Sequence, residues 1–343
     1  MFPSPPRVAV VGATGAVGQT FLSLFEERSF PLSELHLVAS SRSAGRTVHA
    51  LGTEYTVQDI EHFDFGRVDI AFFSAGGSVS RQWAPKAVAA GALVIDNTNT
   101  FRMDPDTPLV VPQVNARTLI QGTTSGIIAN PNCSTIPLVR LLDPIHRRWS
   151  VESVVVSTYQ AASGRGVSGV EELRRTSGEL AASPHGEPEV TAFPEGLAFN
   201  AIPNIDTLLE SGSTLEERKM LQESRKILGE PDLHVTATCV RVPVVNGHSE
   251  AVHVRLGREA DRASLVRLLS EQPEVRVHDL AEPGAFPTPR SAAAEPDHVH
   301  VGRVRVVEGD PRSVWLWLVS DNLRVGAALN AVQIAEYLAE EAS

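Results

Sequence analysis

The chain has 343 residues, 42% hydrophobic and 21% charged, with a formal net charge of −11. That length is more than one hydrophobic core usually serves, so two domains are expected, and the acidic balance argues against a nucleic-acid surface. Two cysteines exclude a disulfide framework, no apolar run is long enough for a bilayer, and the proline-rich start lacks a signal core, so a cytoplasmic enzyme is expected.

Residues 7–11 form an apolar run ending in Gly12 and predict a buried parallel strand. Residues 19–28 place Phe21, Leu22, Leu24 and Phe25 on one helical face. Further strands are expected at 35–39, 68–73, 92–96 and 127–129, with a helix at 80–90. This alternation predicts a doubly wound parallel sheet. A helix then runs past Leu138, Leu141 and Leu142 toward Trp149.

From Val151 the pattern changes. Residues 151–159, 235–245, 251–256, 301–307 and 313–319 are rich in β-branched residues and predict longer strands of a mixed sheet. A helix is expected at 169–182, long loops at 183–203 and 282–296, and a closing helix at 323–338. The fold class is therefore α/β: a Rossmann-type dinucleotide-binding domain plus an α+β domain with a mixed sheet.

The loop after the first strand carries Gly12, Thr14, Gly15, Ala16, Val17 and Gly18 in a G-x-x-G-x-x-G spacing. Glycines there let the backbone turn tightly and approach a pyrophosphate resting on the helix N-terminus. A strand-to-helix turn without a ligand is the plain alternative. At the end of the second strand, Ser40, Ser41 and Arg42 stand where an NAD enzyme usually places a carboxylate. Hydroxyls and an arginine suit a 2′-phosphate and favour NADP, unless Arg42 is a solvated loop residue.

Cys133 follows Asn130-Pro131-Asn132 at a helix start, where backbone N–H groups and the dipole favour a thiolate. Cys239 lies within an apolar strand and reads as structural. Among eleven histidines, His248 stands in the Asn246-Gly247-His248 turn, where a side chain faces either a cleft or solvent. Arg241, embedded in an apolar strand, needs an anion, either an internal carboxylate or a substrate carboxylate.

Gly12 to Gly18, Asn130 to Thr135, Tyr159 to Gly164, Asn200 to Pro203, Arg241 to Glu250 and Asp321 to Ala328 together resemble the aspartate-β-semialdehyde dehydrogenase family. The resemblance spans nearly the whole chain. It implies Cys133 as nucleophile, His248 as acid/base and Gln160 as the residue orienting the acyl intermediate. It implies Arg241 as binder of the substrate α-carboxylate and Glu216 as amine ligand, with Glu217 open as an alternative in register. Lys219 and Arg102 resemble phosphate binders, Asn132 an assisting residue, and Gly164 and Asn322 neighbours of the nicotinamide. A plain charged helix face is the alternative for the Glu216–Lys219 run.

The domains implied are an NADP-binding domain at 1–130, completed by 321–343, and a catalytic and dimerisation domain at 131–320. The activity implied is reversible NADPH-dependent reductive dephosphorylation of L-aspartyl-4-phosphate through a cysteine thioester, feeding lysine, threonine, methionine and diaminopimelate synthesis. The family works without a metal, as a homodimer or homotetramer, on a small-molecule substrate and phosphate. An N-acetylglutamyl-phosphate reductase is the nearest rival, and a carboxylate at the substrate nitrogen argues against it.

Overall fold

The computed structural model describes residues 5–120, 123–278 and 285–340. These fall into two compact units, one comprising Met1–Asn132 and Ala327–Ser343, the other Cys133–Gly326. The first residues of the expected 282–296 loop lie outside the described residues.

The first unit opens with strand β1 (Arg7–Val11), helix α1 (Ala16–Glu27) and strand β2 (Glu34–Ala39). A short hairpin, β3 (Thr47–Ala50) and β4 (Thr53–Thr56), and strand β5 (Gln58–Asp59) follow; the hydrophobic pattern does not predict them. Then come β6 (Ile70–Phe73), α2 (Gly77–Ala89), β7 (Leu93–Asp96), α3 (Pro112–Asn115) and β8 (Ile127–Ala129). The sheet order is β5-β2-β1-β6-β7-β8, with every pairing parallel. Chain order reverses between β1 and β6, the switch point where open sheets of this kind bind ligands.

Burial explains the strands. Val8 to Val11 and Ile70 to Phe73 have no exposed surface, as parallel strands covered on both faces require. Asp96, at the end of β7, is buried and accepts from Ser80 Oγ (2.8 Å), Thr98 N–H (3.0 Å) and Thr98 Oγ1 (2.8 Å). Burial raises its carboxyl above the usual range, opposed by those donors.

The second unit contains α4 (Thr135–Trp149), β9 (Val151–Gln160), α5 (Val167–Ala182), α6 (Leu215–Leu228), β10 (His234–Arg241), β11 (His248–Leu256), α7 (Arg262–Ser270), β12 (Val275–Val277), α8 (Pro289–Ala292), β13 (Val299–Val307) and β14 (Asp310–Ser320). Its sheet runs β10-β9-β11-β14-β13-β12 and is mixed, as expected. β10 stops at Arg241 instead of continuing to 245, because Pro243 cannot donate to a ladder. Side chains alternate along β9: Val154, Val156, Thr158 and Gln160 are buried, while Val155 and Tyr159 are exposed.

Helix α9 (Leu329–Glu340) returns to the first unit, where Arg28 pairs with Glu336 at 2.6 Å and Asn330 donates to Asn130 Oδ1 at 2.7 Å. The expected closing helix at 323–338 is broken in register: Arg324–Ala328 form a π-helical turn before α9 begins. Among the described residues, no helix is long and apolar enough to cross a membrane.

Candidate active site

β9 and β10 run parallel and end side by side, with Arg241 paired to Gln160 in the ladder. β11 is antiparallel to β9 and starts at that same end, with His248. Strand direction alone therefore delivers Gln160, Arg241 and His248 to one sheet edge in the second unit.

Gln160 Nε2 faces Ser134 Oγ at 3.1 Å, Thr158 Oγ1 at 3.3 Å and Glu216 Oε1 at 3.2 Å. The amide thus ties the start of α4 to the first turn of α6. Ser134 is the N-cap of α4, so Cys133 sits two residues before the helix rather than in it. It still precedes the N-terminus of α4, the positive end of the helix dipole, where a thiolate is favoured. Cys239 differs: it is fully buried, and desolvation, followed by Glu216, pushes its thiol far above the usual range.

His248 requires a correction. The turn ends at Gly247 (φ +90°), and His248 is the first residue of β11, with no exposed surface. The ladder to Ser320 on β14 draws it into the sheet, so it is not a surface turn residue. The Ala161 N–H donates to its Nδ1 at 3.0 Å, and its Nε2 has no partner among the described residues. Burial, with the Arg241 guanidinium second, holds its pKa well below the usual histidine range.

Arg241 is 7% exposed and donates from Nη1 to Ala161 O at 2.7 Å. Burial lowers its pKa, while the charges of Cys133 and Glu216 pull the other way. Gly164 lies against both side chains. A Cβ there would stand 2.5 Å from Arg241 Nη1 and 3.4 Å from His248 Nε2, so a side chain would fill the space before them.

The Glu216–Lys219 run is a helix face, but not a solvated one. Glu216 is buried and pairs with Lys219 Nζ at 3.1 Å, and Asp206 holds the same Nζ at 2.6 Å. Burial works against the Lys219 charge, yet the two carboxylates raise its pKa overall. Glu217 is engaged elsewhere: it forms the capping box with Thr214 and accepts from Cys239 N–H at 3.0 Å. Asn322 Oδ1 accepts from Gly247 N–H and Ser163 Oγ, both at 3.0 Å, so its amide supports the segment leading to His248.

The remaining expected site residues belong to the first unit. Gly12 has φ +91°, and a Cβ there would meet Ser74 O at 2.6 Å, so only glycine permits this turn at the switch point. Thr14 Oγ1 reaches Ser43 Oγ at 3.4 Å, which joins the glycine loop to the exposed Ser40-Ser41-Arg42 turn after β2. Gly15 donates its N–H to Gly12 O, and Ala16, Val17 and Gly18 form the first turn of α1. This cradle fits the pyrophosphate of a dinucleotide. Arg102 is buried, donating from Nε to Asn130 O at 2.9 Å, and Asn132 is buried two residues further on.

Comparison with known proteins places this geometry. Residues 7–122 match the sequence family described as semialdehyde dehydrogenase, NAD binding domain, and residues 142–325 match semialdehyde dehydrogenase, dimerisation domain. An aspartate-semialdehyde dehydrogenase of Legionella pneumophila is 48% identical over 336 residues, covering 98% of this chain and 96% of that protein. The chain belongs to the aspartate-semialdehyde dehydrogenase family. The crystal structure of aspartate semialdehyde dehydrogenase II complexed with ASA from Vibrio cholerae has a TM-score of 0.94 and 45% identity, covering 98% of each chain. A more distant aspartate semialdehyde dehydrogenase with NADP, from Candida albicans, has a TM-score of 0.76 and 26% identity, covering 97% of this chain and 98% of that one.

As an oxidoreductase of the aspartate-semialdehyde dehydrogenase family, the chain uses a nicotinamide dinucleotide. Two features of its site escape sequence reasoning. Asp206 holds Lys219 from a loop with no motif to mark it. Gly326 packs against Cys133, a contact that neither the resemblance over 321–328 nor a glycine inside an expected helix marks.

Proposed function

We propose that the chain catalyses reversible NADPH-dependent reductive dephosphorylation of L-aspartyl-4-phosphate to L-aspartate-4-semialdehyde. The observation that carries this reading is the gathering of Gln160, Glu216, Arg241 and His248 around the start of α4, where Cys133 lies. One cation and one anion there suit an amino acid's α-carboxylate and α-ammonium.

The Cys133 thiolate attacks the acyl-phosphate carbonyl, and phosphate leaves to give a thioester. Gln160 orients that acyl group from its place between Ser134 and Glu216. Arg241 holds the α-carboxylate. Glu216 takes the ammonium in preference to Glu217, whose oxygens serve Thr214 and Cys239. Lys219 and Arg102, assisted by Asn132, hold phosphate, with Lys219 sharing its charge with Asp206. When bound, the cofactor supplies hydride. Gly12, Thr14, Gly15, Ala16, Val17 and Gly18 cradle its pyrophosphate, Ser40, Ser41 and Arg42 take the 2′-phosphate, and Gly164 and Asn322 border the nicotinamide. The absence of a carboxylate after β2 and the NADP-bound Candida albicans relative support NADP.

The N-terminal unit spans 1–130 with 321–343 in this reading, and 131–320 form the catalytic and dimerisation domain. The match to a dimerisation domain and the outward Val155 and Tyr159 support a homodimer, alone or paired into a homotetramer. The product serves lysine, threonine, methionine and diaminopimelate synthesis in the cytoplasm.

The test is NADP reduction with L-aspartate-4-semialdehyde, with and without phosphate. Phosphate-dependent turnover that disappears in Cys133→Ala supports the reading. A wild-type enzyme that binds NADP but turns over no semialdehyde refutes it.

A further inference from the structure

The loop at 183–203 meets Arg241 twice. Ile202 exchanges both backbone hydrogen bonds with it, Ile202 N–H to Arg241 O at 2.9 Å and Arg241 N–H to Ile202 O at 2.8 Å. Earlier in the loop, Phe193 places its ring centroid 5.9 Å from the Arg241 guanidinium carbon. That is within the ~6 Å over which the negative face of an aromatic ring attracts a cation.

A segment rich in proline and glycine does not fix a ring by itself, and the anchor comes from α5. Glu172 is buried there and gathers three successive backbone N–H groups. Thr191 N–H donates to Oε2 at 2.5 Å, Ala192 N–H to Oε2 at 2.7 Å and Phe193 N–H to Oε1 at 3.2 Å. The Thr191 hydroxyl adds a fourth bond to Oε2 at 3.2 Å. Burial works against the Glu172 charge, but the backbone donors of Ala192, Thr191 and Phe193 outweigh it and hold the carboxyl below its usual range. Hydrogen bonds to an ionised acceptor are the stronger kind.

We infer that Glu172 is a positioning residue for the substrate's α-carboxylate: it fixes residues 191–193 so that Phe193 lies against the guanidinium of Arg241. This rests on the carboxylate role proposed above for Arg241 and names what holds that arginine in place.

Packing agrees with it. Phe193 is buried among Ala162, Leu173, Leu197, Ala198 and Ile202. Leu173 follows Glu172 on α5, so the carboxylate and an apolar contact act on the same segment. Gly169, earlier on α5, lets the ring approach: a Cβ there would stand 3.0 Å from Phe193 Cζ. Beside Ala162, Ala161 O accepts from Arg241 Nη1 at 2.7 Å. The guanidinium is thus held by a carbonyl and by a ring. A ring steadies a cation without neutralising it, whereas a carboxylate in its place would compete with the substrate.

The same segment holds a second cation. Ala192 O accepts from Arg165 Nε at 3.2 Å, and the Arg165 charge works against that of Arg241. An anion bound at Arg241 relieves that repulsion.

The test uses two variants. Glu172→Gln keeps one acceptor oxygen but turns an amide donor toward backbone donors. Phe193→Leu keeps an apolar side chain and loses the ring. Each should raise KM for L-aspartate-4-semialdehyde about 3- to 30-fold, with kcat and the KM values for phosphate and NADP held within about twofold. In an Arg241→Lys background neither change should add more than about twofold, because residues acting through one group are not additive. An unchanged KM, a full multiplicative effect on top of Arg241→Lys, or a joint loss in kcat and all three KM values in a folded variant would each overturn the inference. A spectrum separates it from the reaction. With 15N-labelled arginine, the Arg241 Nε–H signal, identified by its loss in Arg241→Lys, should move in the same direction in both variants. A signal unmoved by Glu172→Gln would overturn the inference. A wild type without semialdehyde turnover would refute the proposed reaction, while the spectrum would still decide whether Glu172 positions Arg241.

Discussion

Gly326 lies against the backbone of Cys133: a Cβ at position 326 would stand 2.9 Å from Cys133 Cβ and 2.9 Å from its carbonyl oxygen. A glycine in the final stretch of the second unit therefore sets where Cys133 stands. Gly326→Ala should displace Cys133 and cost about 1–3 kcal/mol through overpacking. Thermal unfolding should fall modestly, while the rate of Cys133 alkylation and kcat both drop. Unchanged alkylation would show that the contact has no bearing on the thiol.

Glu216 and Glu217 should separate cleanly. Glu216→Gln removes a charge from the proposed ammonium site and should raise KM for the semialdehyde about 10- to 100-fold, as loss of a charged hydrogen bond does. Glu217→Ala instead breaks the Thr214 capping box and should cost about 1 kcal/mol of stability, with kcat/KM held within about twofold. Steady-state kinetics and thermal unfolding of the two variants check this together. The opposite pattern would move the amine ligand to Glu217.

Glu250 gives a stability prediction with a definite sign. It is fully buried, neither carboxyl oxygen has a partner among the described residues, and it stands opposite Thr158 in the ladder. Burial, then Glu216, pushes its pKa well above the usual carboxyl range. The folded state therefore keeps a proton that the unfolded chain releases. That contribution to stability is full below about pH 4.3, the unfolded value, and is lost as pH rises through the folded value. Glu250→Gln cannot ionise, so its melting temperature relative to wild type should rise as pH rises above about 4.3, the unfolded value. A difference that stays flat with pH would mean that Glu250 is ionised when folded. His248 acts in the opposite sense and is unchanged in this comparison: its lowered pKa stabilises the fold above the unfolded histidine value and loses that as pH falls.

Arg42 should decide between dinucleotides. It is exposed in the turn after β2, where no carboxylate stands. Arg42→Glu should raise KM for NADP about tenfold or more and leave NAD less affected. Equal changes for both cofactors would assign Arg42 to solvent.

Much of the architecture is legible in the chain because the signals are strong. Val8 to Val11 and Ile70 to Phe73 are apolar throughout, as strands buried on both faces must be, and the alternation of Val154, Val156, Thr158 and Gln160 marks one face of a mixed sheet. The hairpin β3–β4 is missed because its eight residues carry little apolar pattern and are mostly exposed. His248 is misplaced because Asn246-Gly247 marks a turn without saying where the next strand starts. The gathering of Gln160, Glu216 and Arg241 is legible only through resemblance. They come from β9, α6 and β10, and no local spacing links them. Physical reading of the sequence also leaves Glu216 and Glu217 open, although Thr214-x-x-Glu217 is a capping-box pattern that already claims the second glutamate.

The most direct test of the central claim is the mass of the acylated peptide. Enzyme incubated with L-aspartate-4-semialdehyde and NADP without phosphate, then quenched in acid and digested, should carry one aspartyl group on the Cys133 peptide. Cys133→Ala should carry none, and added phosphate should discharge the wild-type adduct. An enzyme that turns over without any adduct on Cys133, or with the adduct on Cys239, would contradict the thioester account.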